Sequence, residues 1–244
     1  MSRCSSEQKP QDQDPQARIG AELAARQKQL DHVTERFRHG RTPLQMIEVV
    51  QHANVVVDEA VQVALKETPP HAAAACQEGC AWCCYTPVGT AAPEVLRIVA
   101  YLRETLAPEQ WHSLCERVRA GMQQRQLLGL ARVRLSALPC PLLLDDRCSA
   151  YPVRPLTCRG YTSSDAHSCK LALDPKSGVT VPIYWPQQRL AAFVLDGLRV
   201  GLENSLLDGE LLELTAALRI ALETPNVEER WLAGENVFSP ARMD

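Results

Sequence analysis

Two clusters of four cysteines constrain this chain more than any other feature. The first reads Cys76-Gln-Glu-Gly-Cys80-Ala-Trp-Cys83-Cys84, and the second spreads over Cys140, Cys148, Cys158 and Cys169. Together they hold eight of the 10 cysteines in 244 residues. Thiols two or three residues apart let one short loop aim several sulfurs at one ion. Soft thiolates suit zinc and iron–sulfur clusters. Free cysteine is also a common buried residue, but eight in these spacings speak for ligation.

The compartment decides between metal and disulfide. The N-terminus, Met-Ser-Arg-Cys-Ser-Ser-Glu-Gln, has no apolar leader core, and no run reaches the roughly 18 apolar residues of a membrane span. The expectation is a cytoplasmic protein away from the membrane. Its thiols would be reduced, and grouped cysteines there hold metal more often than disulfides.

The vicinal pair Cys83-Cys84 is informative, because adjacent side chains point in different directions. It implies two neighbouring metal positions. Cys76, Cys80 and Cys83 serve one, Cys84 serves or bridges to the other, and Cys140, Cys148, Cys158 and Cys169 complete both. Four thiolates around a divalent ion carry about −2, a costly charge to bury uncompensated. Arg154 and Arg159 are therefore expected at the cofactor, donating to sulfur from behind the ligands. Arg147 is partly balanced by Asp145-Asp146, which reads as a turn. His167, two residues before Cys169, reads as an ordinary surface histidine rather than a ligand. Trp82 and Tyr85 read as shields. Cys115 falls on the apolar stripe of a helix and reads as core, and Cys4 as an inert tail residue.

The rest of the chain reads as mostly α, a helical frame around an irregular cysteine-rich segment with at most short strands. Residues 1–17 are expected as a disordered tail, and 18–244 as a single helical domain containing the module 76–169. Helices are expected from Ala17 to His39, from Pro43 to the Pro69-Pro70 stop, from Ala91 to Leu106, from Pro108 to Leu128, and again after Pro186. The second helix carries the stripe Leu44, Ile47, Val50, Val57, Val61 and Leu65. Gly197 and Gly201, four apart on one helix, imply a close helix–helix approach.

The order CxxxCxxCC, then Cys-Pro-Leu-Leu, then Cys-x-x-Tyr-x-x-Arg-Pro-x-x-Cys-Arg resembles the YkgJ-type cysteine-cluster family, a zinc- or iron-chelating domain. The resemblance covers Cys76, Cys80, Cys83, Cys84, Cys140, Cys148, Tyr151, Arg154, Pro155, Cys158 and Arg159. It implies metal binding, by zinc or an iron–sulfur cluster. Some relatives are flagellin lysine N-methylases that use S-adenosylmethionine. They supply the alternative reading, a metal-dependent enzyme acting on a protein substrate.

Other classes find no support. A net charge of −3 with pI near 6.1 gives no basic excess for nucleic acid. There is no G-x-G cofactor loop, P-loop, G-x-S-x-G or H-E-x-x-H. Cys76, Cys80 and Cys83 are similar to a radical S-adenosylmethionine signature, but no alternating strand–helix pattern accompanies them. The first reading is thus a metal-binding protein, with metal ions and a protein partner as its ligands.

Overall fold

The structure, a computed structural model, describes residues 15–128 and 136–243. Its first helix, α1 (Pro15–Phe37), starts inside the stretch expected as tail. The rest of that stretch, with Cys4, lies outside the described residues. Helix α2 (Pro43–Glu67) starts as its sequence dictates. Thr42 accepts from the Gln45 N–H, Gln45 reaches back to the Thr42 N–H, and Pro43 needs no partner at the first helical position. Its buried face is Met46, Val49, Val50, Ala53, Val56, Val57 and Val61. Leu44, expected in that stripe, stands 64% exposed at the open first turn.

Helices α3 (Ala92–Thr105) and α4 (Pro108–Leu128) follow within a residue or two of expectation. On α4, Leu114 and Val118 take the core positions. Cys115, one residue out of phase with Leu114, is left half-buried outside the core, against the sequence expectation.

The middle of the chain is short pieces. Leu143–Leu144 (β2) pairs antiparallel with Arg147–Cys148 (β3). The two residues between them, Asp145 and Asp146, both have positive φ, 49° and 58°, as the tight hairpin turn requires. Two one- to two-turn helices follow, α5 (Leu156–Arg159) and α6 (Ala166–Leu171). The chain then returns to a long helix, α7 (Trp185–Asn204), and ends with α8 (Leu214–Glu223) and α9 (Val227–Leu232).

Helices α1, α2 and α7 pack on one another, with α1 against α7 as the most extensive seam. Gly197 and Gly201 make that seam: a Cβ on Gly197 would stand 2.3 Å from the Arg26 carbonyl oxygen, and one on Gly201 2.7 Å from the Val33 Cβ. Two ion pairs flank it, Arg26 with Asp196 at 2.5 Å and Arg189 with both oxygens of Glu22 at 2.7 Å. Helix α8 packs on α3 and α4. The segment before it (β4, Leu212–Glu213) pairs with Gly89–Thr90 (β1) at the entrance to α3. One continuous set of buried apolar residues joins these helices, with Cys140, Cys148 and Cys158 packed against its margin. Among the described residues no helix is long and apolar enough to cross a membrane.

Candidate metal centre

The first cysteine cluster turns at Gly79, whose φ of 86° suits glycine, and closes in a 3₁₀ turn, Trp82–Tyr85. Cys83 faces outward and is exposed, while Cys84 is half-buried. The Cys84 N–H bonds the Ala81 carbonyl at 2.9 Å, and the Cys84 carbonyl accepts from the Cys140 N–H at 2.7 Å. That bond joins the two clusters through the backbone. Cys148 follows on the hairpin that begins just after Cys140, opposite Leu143. Cys158 sits in the one-turn helix α5, packed on the core.

Cys76 and Cys169 both lie beside Ser163. The buried Ser163 donates its N–H to the Cys76 sulfur at 3.4 Å, and its carbonyl accepts from the Ala75 N–H at 2.8 Å. Its hydroxyl also touches the Cys169 thiol. Helix α6, which carries Cys169, is capped by Asp165 and lies against the 3₁₀ turn of Cys83, with Lys170 5.2 Å from the centre of the Trp82 ring. A groove of about 240 Å³ opens beside this set, lined among others by His71, Ala74, Ser163 and Tyr184.

Electrostatic coupling links the sulfurs in two overlapping groups, with Cys83 in both. Burial first, then the charges of Cys140, Cys148, Cys83 and Glu94, push the Cys158 thiol well up. Burial raises Cys148 and takes Cys140 up to about 12, against the nearby Arg125 guanidinium. Cys169 is raised by burial and by the charges of Cys76, Cys80 and Cys83. Within the vicinal pair, a thiol–thiol hydrogen bond from Cys84, helped by the Arg154 charge, brings Cys83 down to about 7. The same bond, then burial and the charges of Cys83, Cys140 and Cys148, drive Cys84 far up. Cys83 is thus felt by both sets.

The nine described cysteines are all free thiols. They gather without closing: among the described residues no three His, Cys, Asp or Glu side chains stand arranged to hold an ion. The raised pKa values favour the neutral thiols, whereas ligation requires the thiolates that an ion induces. The donor chemistry, all sulfur, fits zinc or iron.

Of the expected arginines, Arg154 lies over the Tyr151 ring at 3.9 Å, and its charge favours the thiolates of Cys83 and Cys148. Arg159 turns to both carboxylate oxygens of Asp58, at 3.1 and 3.0 Å. Arg147 pairs with the exposed Glu78. His167 is exposed at the start of α6.

Residues 75–176 match the family CxxCxxCC, described as "Putative zinc- or iron-chelating domain". The matched segment begins one residue before Cys76 and runs past Cys169 to Lys176. No curated protein and no solved structure matches the chain.

Sequence reading missed four residues of the matched segment and its surroundings. Ser163 bridges Cys76 and Cys169, and Tyr161 lies among the charges of Cys169, Cys83 and Cys76. Arg125 is 8% exposed, near Cys140 and 3.5 Å from Glu213. Glu94 is 2% exposed and bonded to the first N–H of α5. Only Glu94 left a sequence signal, as the acid in the first turn of α3.

Proposed function

We propose that the matched segment of this chain holds two zinc or iron centres through eight cysteines. An inner centre is held by Cys84, Cys140, Cys148 and Cys158, and an outer one by Cys76, Cys80, Cys83 and Cys169. What supports this reading is the coupling of Cys84 to Cys140 and Cys148, and of Cys169 to Cys76 and Cys80. Cys83, hydrogen-bonded to Cys84 rather than pointing away from it and coupled to both sets, stands at the junction. Each set then offers four sulfurs, the number a closed tetrahedral site takes.

The ions act as a clamp. Between Cys76 and Cys169 the chain crosses α3, α4 and a run of turns and short pieces with little core of its own. Four-ligand sites stabilise such segments directly, because binding free energy becomes folding free energy. The thiols are reduced, as in a cytoplasmic protein. Arg154 offsets thiolate charge at the junction of the two centres.

The test is anaerobic purification followed by measurement of zinc, iron, acid-labile sulfide and the visible spectrum. Two metal centres per chain are expected. Cys148→Ser is expected to lose the inner one and Cys169→Ser the outer one. A saturated stoichiometry of one zinc or one four-iron cluster would sink the two-centre reading. A brown, sulfide-bearing protein would replace the clamp with redox chemistry. Calorimetric binding of S-adenosylmethionine to the loaded protein would move the assignment to the methylase alternative.

A further inference from the structure

Glu94 is the most deeply buried carboxylate in the matched segment, yet no described cation forms an ion pair with it. Burying a charge without a partner is costly unless hydrogen bonds satisfy it. Here three do. Oε2 accepts from the Ala91 N–H at 2.9 Å and the Thr90 hydroxyl at 3.0 Å, and Oε1 accepts from the Leu156 N–H at 2.8 Å. The first two bonds are local, at the start of α3. The third crosses 62 residues of sequence to the start of α5.

That third bond has a specific reason to be long-range. The first N–H groups of a helix need acceptors, and a local Ser, Thr, Asp or Asn usually provides one. At the head of α5 the capping position is Pro155, which has no side-chain acceptor. The cap therefore comes from the helical frame, and Cys158 is two residues further on. A second tether runs beside it, from the Thr157 hydroxyl to the Gly89 carbonyl at 2.6 Å. On its far side α5 is pressed against α7. A Cβ on Gly160 would stand 2.6 Å from the Ala191 Cβ. The turn that carries Cys158 is thus held between α3 and α7.

We propose that Glu94 is the positioning residue of the inner centre, fixing Cys158 where the other three sulfurs can share an ion with it. The proposal rests on the two-centre reading. Zinc–sulfur bonds tolerate only a narrow range of distances, so freedom in this turn costs affinity at the inner centre and leaves the outer one alone. A carboxylate is suited to the task because both oxygens accept. Glutamine retains one acceptor for Leu156 and presents its amide to the Thr90 hydroxyl, which turns to accept, while the Ala91 N–H loses its acceptor.

The experiment is stepwise titration of the full-length apoprotein with Zn²⁺, repeated with Co²⁺ to read thiolate coordination by its absorption. Wild type, Glu94→Ala, Glu94→Gln and Thr157→Val are compared, with far-UV circular dichroism to establish folding. In wild type two ions bind. In Glu94→Ala one of the two weakens by about tenfold or more, the usual cost of removing a residue that orients a ligand. The other is unchanged. Thr157→Val weakens the same ion by a smaller factor, and Glu94→Gln, which keeps the Leu156 cap but not the Ala91 bond, restores part of the loss. Equal weakening of both ions, or none in a folded Glu94→Ala, overturns the proposal. If Glu94→Ala does not fold, Thr157→Val decides alone, and a lack of selective weakening there overturns it. A wild type that takes one ion defeats the two-centre reading instead, whatever the variants do.

Discussion

Replacing Gly197 by alanine should expose how closely the frame is built. The added Cβ would stand 2.3 Å from the Arg26 carbonyl oxygen, 3.1 Å from its carbonyl carbon and 3.2 Å from its Cα. Atoms of this kind rest about 3.5 Å apart, so the overlap is about 1 Å. The obstacle is helical backbone, which has no rotamer to change. Helix α1 must move away from α7 along the whole seam, stretching the Arg26–Asp196 and Arg189–Glu22 pairs that flank it. Overpacking of a tight interior costs about 1–3 kcal/mol. This site belongs at the upper end, because the relief cannot stay local.

Alanine also returns up to about 1 kcal/mol as the better helix former. The net expectation is a loss of about 2 kcal/mol, or a fall in Tm of about 4–8 °C for a chain of this size. Gly20, on α1, supplies the control. Nothing lies within 4 Å of its Cβ position, so Gly20→Ala should gain about 0.5–1 kcal/mol from the same propensity effect. Urea unfolding of both variants at one fixed metal load reads the difference. A Gly197→Ala protein as stable as wild type would falsify the seam geometry, since propensity alone would then have decided the outcome.

Acid should loosen the α1–α2 contact through His52, whose ring stacks on His32 at 3.7 Å and bonds Gln29 at 2.6 Å. Burial, then the charges of His32 and Lys28, hold it down to about 4 from its ordinary 6.5. The unfolded chain therefore takes up the proton first. Stability is full above about pH 6.5, falls as the pH drops and levels off below about 4, a loss of about 1–2 kcal/mol after discounting for solvent at the half-buried ring. Urea midpoints at pH 7 and pH 5 should show it, and His52→Gln should flatten it. Stripping metal with a chelator should lower Tm and open Cys140 and Cys158 to thiol alkylation in the wild-type protein; unchanged labelling would contradict the clamp. Cys115→Ser should leave metal content intact and shift stability by less than about 1 kcal/mol, because that thiol is half-buried outside the core. A larger loss, seen by thermal unfolding, would place it in the interior after all.

What the sequence revealed follows from where the decisive contacts lie. Thr42, Pro43 and Gln45 are within one turn of each other, so the start of α2 was legible from its own residues. The close approach at Gly197 and Gly201 was legible because only small residues at that spacing permit it. Helix α5 was not, because its cap is Glu94, far away in the chain. Helix α6 did carry a local signal: Asp165 accepts from the His167 N–H, an ordinary capping pattern hidden by the neighbouring cysteines. Cys115 misled because Leu114, one residue earlier, fits the same apolar stripe nearly as well. At the candidate centre the two clusters were plain in the sequence. Which sulfur neighbours which was not, since Cys169 comes near Cys76 and Ser163 across most of the segment's length.

Charge explains why the proposed clamp is built at the margin of the core. Two four-thiolate centres around divalent ions bring about −4 in total, too much to sink into an apolar interior. Of the cations at hand, Arg125 is buried but already faces Glu213, and Arg159 is taken by Asp58. Arg154 alone acts on both Cys83 and Cys148, from a half-buried position over Tyr151. The remaining compensation must come from water, which requires an exposed side. The two sets divide accordingly: Cys76 and Cys83 are exposed, while Cys140, Cys148 and Cys158 lean on the apolar core. Arg154→Met should therefore weaken metal retention more steeply at low ionic strength than at high, because salt supplies outside the protein the screening that the guanidinium supplies within it. Metal release to a competing chelator at two salt concentrations measures this, and an effect independent of salt would show that Arg154 acts by packing on Tyr151 instead.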